Sequence, residues 1–208
     1  MRRLLVLLPI LVLLVGCGGD KNDNASSGGG SMNCEIGGDK SKADLADLDQ
    51  DKTNSIAVDT SKGSFTFELA TKTSPCTTAS FAGLVNKGFF DGLTFHRIVP
   101  GFVIQGGDPT GQGSGGPGYE TRDSVPKDAK YSHGVVAMAK TATQPAGTAG
   151  SQFFIVTVPD AGLAPAYAII GKVVKGLDVV DHIGTLGDPS TQAPTQIVEI
   201  QQATVKTS

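Results

Sequence analysis

The chain reads as a mainly β domain, about eight short antiparallel strands and two helices, preceded by a non-globular N-terminus. Three observations point there. Apolar residues come in short runs, and in one of them Phe65, Phe67 and Leu69 alternate with polar neighbours, as a strand with one buried face requires. Twenty-eight glycines punctuate those runs and there is no tryptophan. Within the globular part only two stretches carry helix signals. In about 150 residues such strands pack as a sandwich or as a closed barrel, closure removing exposed edges, and the pattern alone does not choose between them.

The elements follow in order. Residues 1–16 hold Arg2 and Arg3, an apolar run from Leu4 to Val15 and small residues up to Cys17. Twelve residues are too few to span a bilayer, so the run reads as an export signal. Leu14-Val15-Gly16-Cys17 resembles the lipobox of bacterial lipoproteins, in which the cysteine is acylated and becomes the new N-terminus. A plain secretory signal with an unmodified cysteine is the alternative. Acylation with more than one chain suffices for stable anchoring. The expectation is an extracytoplasmic, membrane-anchored lipoprotein.

Residues 17–53 form the lipidated N-terminus and a Gly/Ser/Asn/Asp/Lys-rich segment expected to be a flexible tether. SKADLADLDQ has the leucine spacing of one short helix, but a solvated linker is the simpler reading. Loss of Arg2 and Arg3 with the signal moves the net charge from minus three to near minus five, which does not favour nucleic acid. Cys34 and Cys76 are candidates for a disulfide in that compartment, two free thiols being the alternative, since spacing does not fix geometry.

The globular domain spans 54–208. SIAVDT and SFTFELA make a hairpin across SKG. Ser74 followed by Pro75 starts a helix, because proline at the first helical position gives up an N–H that has no partner there anyway. Phe81, Leu84 and Val85 give that helix an apolar face and Gly88 a stop. Strands follow at TFHRIV, FVIQGG, GVVAMA, QFFIVTV and AIIGKVV, then a helix near GLDVVDHI and a last strand at QIVEIQQATV.

Four separated blocks, FHRIVPGFVIQGGDPTGQGSGGPGYE, GVVAMA, GSQFFIV and GKVVKGLDVVD, resemble the cyclophilins, a family of peptidyl-prolyl cis/trans isomerases. The resemblance runs from about Asn54 to Val205. It implies a closed eight-stranded antiparallel β-barrel capped by two α-helices, with no metal or cofactor. It matches Arg97 to the catalytic arginine, Gln105 to its orienting partner and Gln152 to another active-site glutamine. Phe102, Val103, Phe154 and Leu163 match the walls of a proline pocket, and His96 is a supporting member of the site. Ala139 and Lys140 match positions that meet the peptide largely through the backbone; Lys140 and Thr141 stand where the family usually has Asn and Ala. Tyr167 replaces a rim histidine, as in the bacterial branch. Gly162 replaces the tryptophan of cyclosporin-sensitive members, so strong cyclosporin binding is not expected. The implied partners are proline-containing segments of exported proteins, and the protein is expected to be a monomer.

The chemistry supports that match from the residues up. An X–Pro bond turns slowly because amide resonance sets a barrier of about 18–20 kcal/mol. Twisting localises the lone pair on the proline nitrogen, so a fixed cationic N–H donor favours the twisted state over either planar one. Arg97 can be that donor, because a guanidinium is always charged and planar and a carboxamide can hold it. Strand alternation puts Val103 and Gln105 on one face and Phe102 and Ile104 on the other. Of the neighbours Phe153 and Phe154 one must face the core, and Phe153 is assigned there.

Other readings fail on local grounds. GQGSGG matches a dinucleotide loop in form only, because Pro117 and Gly118 follow and no helix can begin there. His96, His133 and His182 lack ligand spacing. GSQFF is no nucleophile elbow. A non-catalytic proline-peptide-binding module or chaperone on the same fold is the remaining alternative.

Overall fold

The computed structural model describes residues 33–208, so the export signal and Cys17 lie outside the described residues. The strands are β1 (Glu35–Gly38), β2 (Asn54–Thr60), β3 (Gly63–Leu69), β4 (Arg97–Val99), β5 (Val103–Gly106) and β6 (Tyr119–Arg122). After them come β7 (Val135–Met138), β8 (Thr148–Ala149), β9 (Phe153–Val156), β10 (Ile169–Lys175) and β11 (Ile200–Thr207). Helix α1 is Pro75–Asn86 and α2 is Leu177–Gly184; a single 3-10 turn covers Lys40–Lys42.

Eight strands form one antiparallel sheet in the order β11-β2-β3-β10-β7-β9-β5-β4. It begins with the β2–β3 hairpin, where Ile56 pairs with Phe67 and Val58 with Phe65, all four buried. The sheet curls into a half-barrel and does not close, which corrects the expectation of a closed barrel. The reason lies at β4. That strand is three residues long, and its outer edge is taken by a loop, the N–H of Ile98 donating to the carbonyl of Gln192 at 2.9 Å. Contact with the β11 side is confined to an isolated bridge at Thr94 and Glu199 and the bonds flanking it.

Helix α1 is buried all the way round from Cys76 to Val85, where the sequence showed only one apolar face. Its inner side packs into the sheet: the Phe81 ring stacks on Phe90 at 4.6 Å and meets Phe153 edge-on at 5.4 Å. A second, three-stranded sheet, β1-β6-β8, covers its outer side. Ser74 does not cap the helix with its side chain; the carboxylate of Asp123 accepts the N–H groups of Cys76 (3.3 Å) and Thr77 (2.7 Å) instead. Ser80 and the Tyr119 hydroxyl bond at 2.8 Å across the same interface.

From Cys34 onward the expected tether is packed on the domain. Cys34 is joined to Cys76, and β1 pairs with β6 from Glu35 opposite Arg122 to Gly38 opposite Tyr119. The chain then crosses α1, the N–H of Ala46 donating to the Ala79 carbonyl at 2.9 Å, and buries Leu48 in the core. Gly83 permits the crossing, since a Cβ there would lie 2.0 Å from the Asp44 carbonyl oxygen. Of SKADLADLDQ only the 3-10 turn is helical.

Candidate active site

Pro100 and Gly101 turn β4 back on β5. Proline presets its own φ, Gly101 takes φ +70°, and the N–H of Phe102 closes on the Val99 carbonyl at 3.0 Å, the pattern of a type II turn. The turn sets the register that places Arg97 directly opposite Gln105, and β9 then brings Phe154 opposite Gln105 on the other side. An arginine, a carboxamide and an aromatic ring thus lie in a row across three strands.

The polar half of the site is a chain of side-chain hydrogen bonds. Arg97 Nη1 donates to Gln105 Oε1 (3.1 Å), Gln105 Nε2 to Gln152 Oε1 (3.0 Å), and Gln152 Nε2 to the Gly115 carbonyl (2.9 Å). On its other edge Arg97 Nε donates to Gln192 Oε1 at 2.8 Å. The Gly115 loop is held in turn by buried Asp108, whose carboxylate accepts the N–H and hydroxyl of Thr110 (2.7 and 2.9 Å) and the N–H of Gly113. Burial alone would raise the Asp108 pKa, but the bonds from Thr110, Gly115 and Gly113 outweigh it and hold the group at about 2.

The apolar half is a cavity of about 190 Å³. Val103 and Phe154 form its floor, Phe102, Leu163 and Tyr167 its walls, and Arg97 and Gln105 its polar edge, with Ala139 and Lys140 on the rim. All the residues expected to contact substrate line this cavity except Gln152. That one lines an adjoining cavity of about 620 Å³, which shares Gln105, Ala139 and Lys140 and is walled by the 113–118 loop, Glu120 and Gly38 of β1. Phe102 departs from the alternation argument. It belongs to the turn and not to β5, so it joins Val103 at the cavity while Ile104 enters the main core. Phe153 lies in the main core and Phe154 in the cluster beneath the cavity.

His96 lines neither cavity. Both ring nitrogens are buried without a hydrogen-bond partner, and its Nε2 lies 4.0 Å from where a Cβ on Gly113 would stand. Burial pushes its pKa down; the Asp108 carboxylate opposes this and the Arg97 charge adds to it. Lys140 Nζ donates to the carbonyls of Thr141 (3.2 Å) and Gln144 (3.1 Å) and sits 5.5 Å from the Tyr167 ring centre. Gly162 is at φ +63°, and a Cβ there would meet nothing within 4 Å.

Sequence reasoning missed three residues that build this site. Tyr131, fully buried, accepts the N–H of Tyr167 (2.9 Å) and donates to its carbonyl (2.8 Å), so that the Tyr167 ring stands edge-on to Phe154 at 5.4 Å. Asp108 and Gln192 act through loops. Only Asp108, beside a proline and a glycine-rich loop, had a local signal, the turn preference of aspartate.

A cation held rigidly at the rim of a small apolar cavity suits a ring seated in the cavity with its amide beside the guanidinium. Among the described residues no three His, Cys, Asp or Glu side chains come together as a metal site. Comparison with known proteins identifies the family. Residues 55–205 match the family model described as cyclophilin type peptidyl-prolyl cis-trans isomerase/CLD. Peptidyl-prolyl cis-trans isomerase-like 1 of Neurospora crassa is 39% identical over 154 residues, covering 72% of this chain and 93% of that one. Peptidyl-prolyl cis-trans isomerase B of Bacillus subtilis is 45% identical over 118 residues, covering 56% and 80%. A crystal structure of a Cryptosporidium parvum cyclophilin type peptidyl-prolyl cis-trans isomerase superposes with TM-score 0.67 at 30% identity, covering 75% of this chain and 99% of that one. The same protein has a structure in the presence of the dipeptide Ala-Pro, with TM-score 0.67 at 29% identity and coverage of 74% and 99%. With its arginine row, its smaller cavity and all but the outermost residues of the large sheet inside the matched residues, the chain belongs to the cyclophilin-type peptidyl-prolyl cis-trans isomerase family.

Proposed function

We propose that this isomerase speeds the folding of exported proteins at the outer face of a membrane, held there through an acylated Cys17. The observation that carries the catalytic part is the Arg97 guanidinium, fixed at two nitrogens beside an apolar cavity. A proline ring enters that cavity against Phe154 and Val103. As the X–Pro bond twists, its nitrogen loses conjugation, and an N–H of Arg97 binds the exposed lone pair more strongly than it binds either planar form. No covalent bond breaks, so positioning and one charge suffice.

Two features support the location. The segment from Arg2 to Cys17 has the charge, apolar length and final four residues of a lipoprotein signal. The Cys34–Cys76 disulfide suits an oxidising compartment. The test has two arms. Purified protein should accelerate isomerisation of an Ala-Pro peptide, and Phe154→Ala should weaken both binding and turnover; an unaccelerated peptide would overturn the activity. In cell fractions the protein should sediment with membranes, and Cys17→Ala should release it or leave the signal uncleaved. Wild-type protein found in the cytosol would overturn the location.

A further inference from the structure

Gln105 grips the Arg97 guanidinium at one nitrogen, Nη1, and a planar group held at one corner still pivots. The second grip is Gln192, whose Oε1 accepts from Nε at 2.8 Å. With both held, the plane is fixed, and the Nη2 hydrogens engage no acceptor among the described residues. Gln192 reaches Arg97 from an uncommon backbone conformation: it is the one non-glycine residue among those described with positive φ, at +60°. A side chain with a Cβ rarely adopts that region without something holding it there.

The holding elements are all present. The N–H of Gln192 donates to the Asp188 carbonyl (2.8 Å), and its carbonyl accepts from Ile98, the residue after Arg97. Asp188 braces the turn by accepting the N–H groups of Ser190 and Thr191, each at 2.8 Å, and the Ser190 hydroxyl at 2.6 Å. The loop is therefore fastened to β4 by its backbone and to Arg97 by one side chain, so that strain and catalytic contact fall on the same residue.

We propose that Gln192 is a positioning residue for the isomerisation, fixing the plane of the Arg97 guanidinium from the edge that Gln105 leaves free. The inference rests on the activity proposed above. Its test compares Gln192→Gly, which suits positive φ but removes the carboxamide, with Gln192→Glu, which keeps an acceptor at the same reach. Thermal stability, peptide affinity, kcat and KM are measured on an Ala-Pro peptide alongside wild type.

The expected result is a melting temperature for Gln192→Gly equal to or above wild type, KM within about twofold, and kcat lowered about tenfold, because misorientation costs the transition state and not binding. Gln192→Glu should recover kcat to within about threefold of wild type. Unchanged kcat in Gln192→Gly overturns the proposal. So does a loss of kcat that tracks a fall in melting temperature, or one that Gln192→Glu fails to restore, since each points to the loop and not to the contact. An inactive wild type would instead sink the activity itself, and the two failures are told apart by that control.

Discussion

The two sheets are built by different means. In the eight-stranded sheet, register and apolar burial do the positioning: Arg97, Gln105 and Phe154 sit side by side because β4, β5 and β9 pair there, over a core in which Ile98, Ile104 and Ile155 are fully buried. In the three-stranded sheet the strands are two to four residues long, and the work falls to side chains and a covalent link. Asp123 caps α1, Tyr119 bonds Ser80, Arg122 Nη1 lies 3.9 Å from Glu35, and Cys34 is tied to Cys76. The proposed catalytic row stands on the sheet whose shape is set by burial. The small sheet contributes a wall of the larger cavity and covers a helix, and none of its strands pairs with β4, β5 or β9.

The largest effect that would test this contrast is on the disulfide. Closing a 42-residue separation is worth roughly 4 kcal/mol on the chain-entropy model, so Cys34→Ser with Cys76→Ser should lower the melting temperature by about 8–16 °C. Hydrogen exchange should quicken at β1 and β6 while β7 and β9 keep their protection, and turnover of a short Ala-Pro peptide should stay within about twofold. A matching loss of protection at β9 would show that the two sheets are one cooperative unit.

Next is Arg97→Ala, expected to lower turnover by at least tenfold, and up to about a hundredfold, with unchanged melting temperature, because it removes the donor proposed for the transition state. Arg97→Lys should be nearly as poor, lacking the planar fork that two carboxamides hold. Turnover near wild type in folded Arg97→Ala would separate the row of residues from the chemistry.

Asp108 comes third, since it fastens the glycine-rich loop between the sheets. Its folded pKa, about 2, lies below the ordinary 3.8, so its contribution is present above pH 4 and is lost as pH falls through 2. On the order of 2 kcal/mol is at stake. Between pH 4 and 2, wild type should lose most of that stability relative to Asp108→Asn in denaturant titrations. Parallel curves for the two would remove the loop anchor from the account.

The smallest effect concerns cyclosporin, which should inhibit weakly. Gly162→Trp has room, yet positive φ strains any side chain there, so the gain in inhibition should be only a few-fold. Tight inhibition of the unaltered protein would show that the 160–163 loop contributes more than its exposure suggests.

The same contrast explains what was legible in the sequence. All eight strands of the large sheet stand out as short apolar runs, the first helix by its Ser74-Pro75 start and Gly88 stop, and the motif FHRIVPGFVIQGG carries half the site. The small sheet does not. YETR and TA are too short for any period to register, and β1 lies in a Gly/Asp-rich stretch that composition assigns to a linker. Non-local partners account for the rest. Nothing near Ser74 says that its helix is capped from Asp123, nothing near Arg97 points to Gln192, and nothing near Tyr131 says that it clasps the Tyr167 backbone. The expectation of a closed barrel fails for a like reason, because the loop on the edge of β4 comes from far along the chain.

The cap from Asp123 also bears on the order of assembly. Helix α1 acquires its start signal at Pro75, but its cap arrives only with a residue 46 positions beyond Thr77. The large sheet waits longer still, since β2 pairs with β11 at the other end of the domain. A chain emerging N-terminus first therefore displays Cys34, Cys76 and an uncapped helix well before it can bury them, and its rate of folding is governed by contacts far apart in sequence. Oxidation of the two thiols during that interval would shorten the search by bringing β1 to α1 early, a covalent shortcut built into the chain's own assembly.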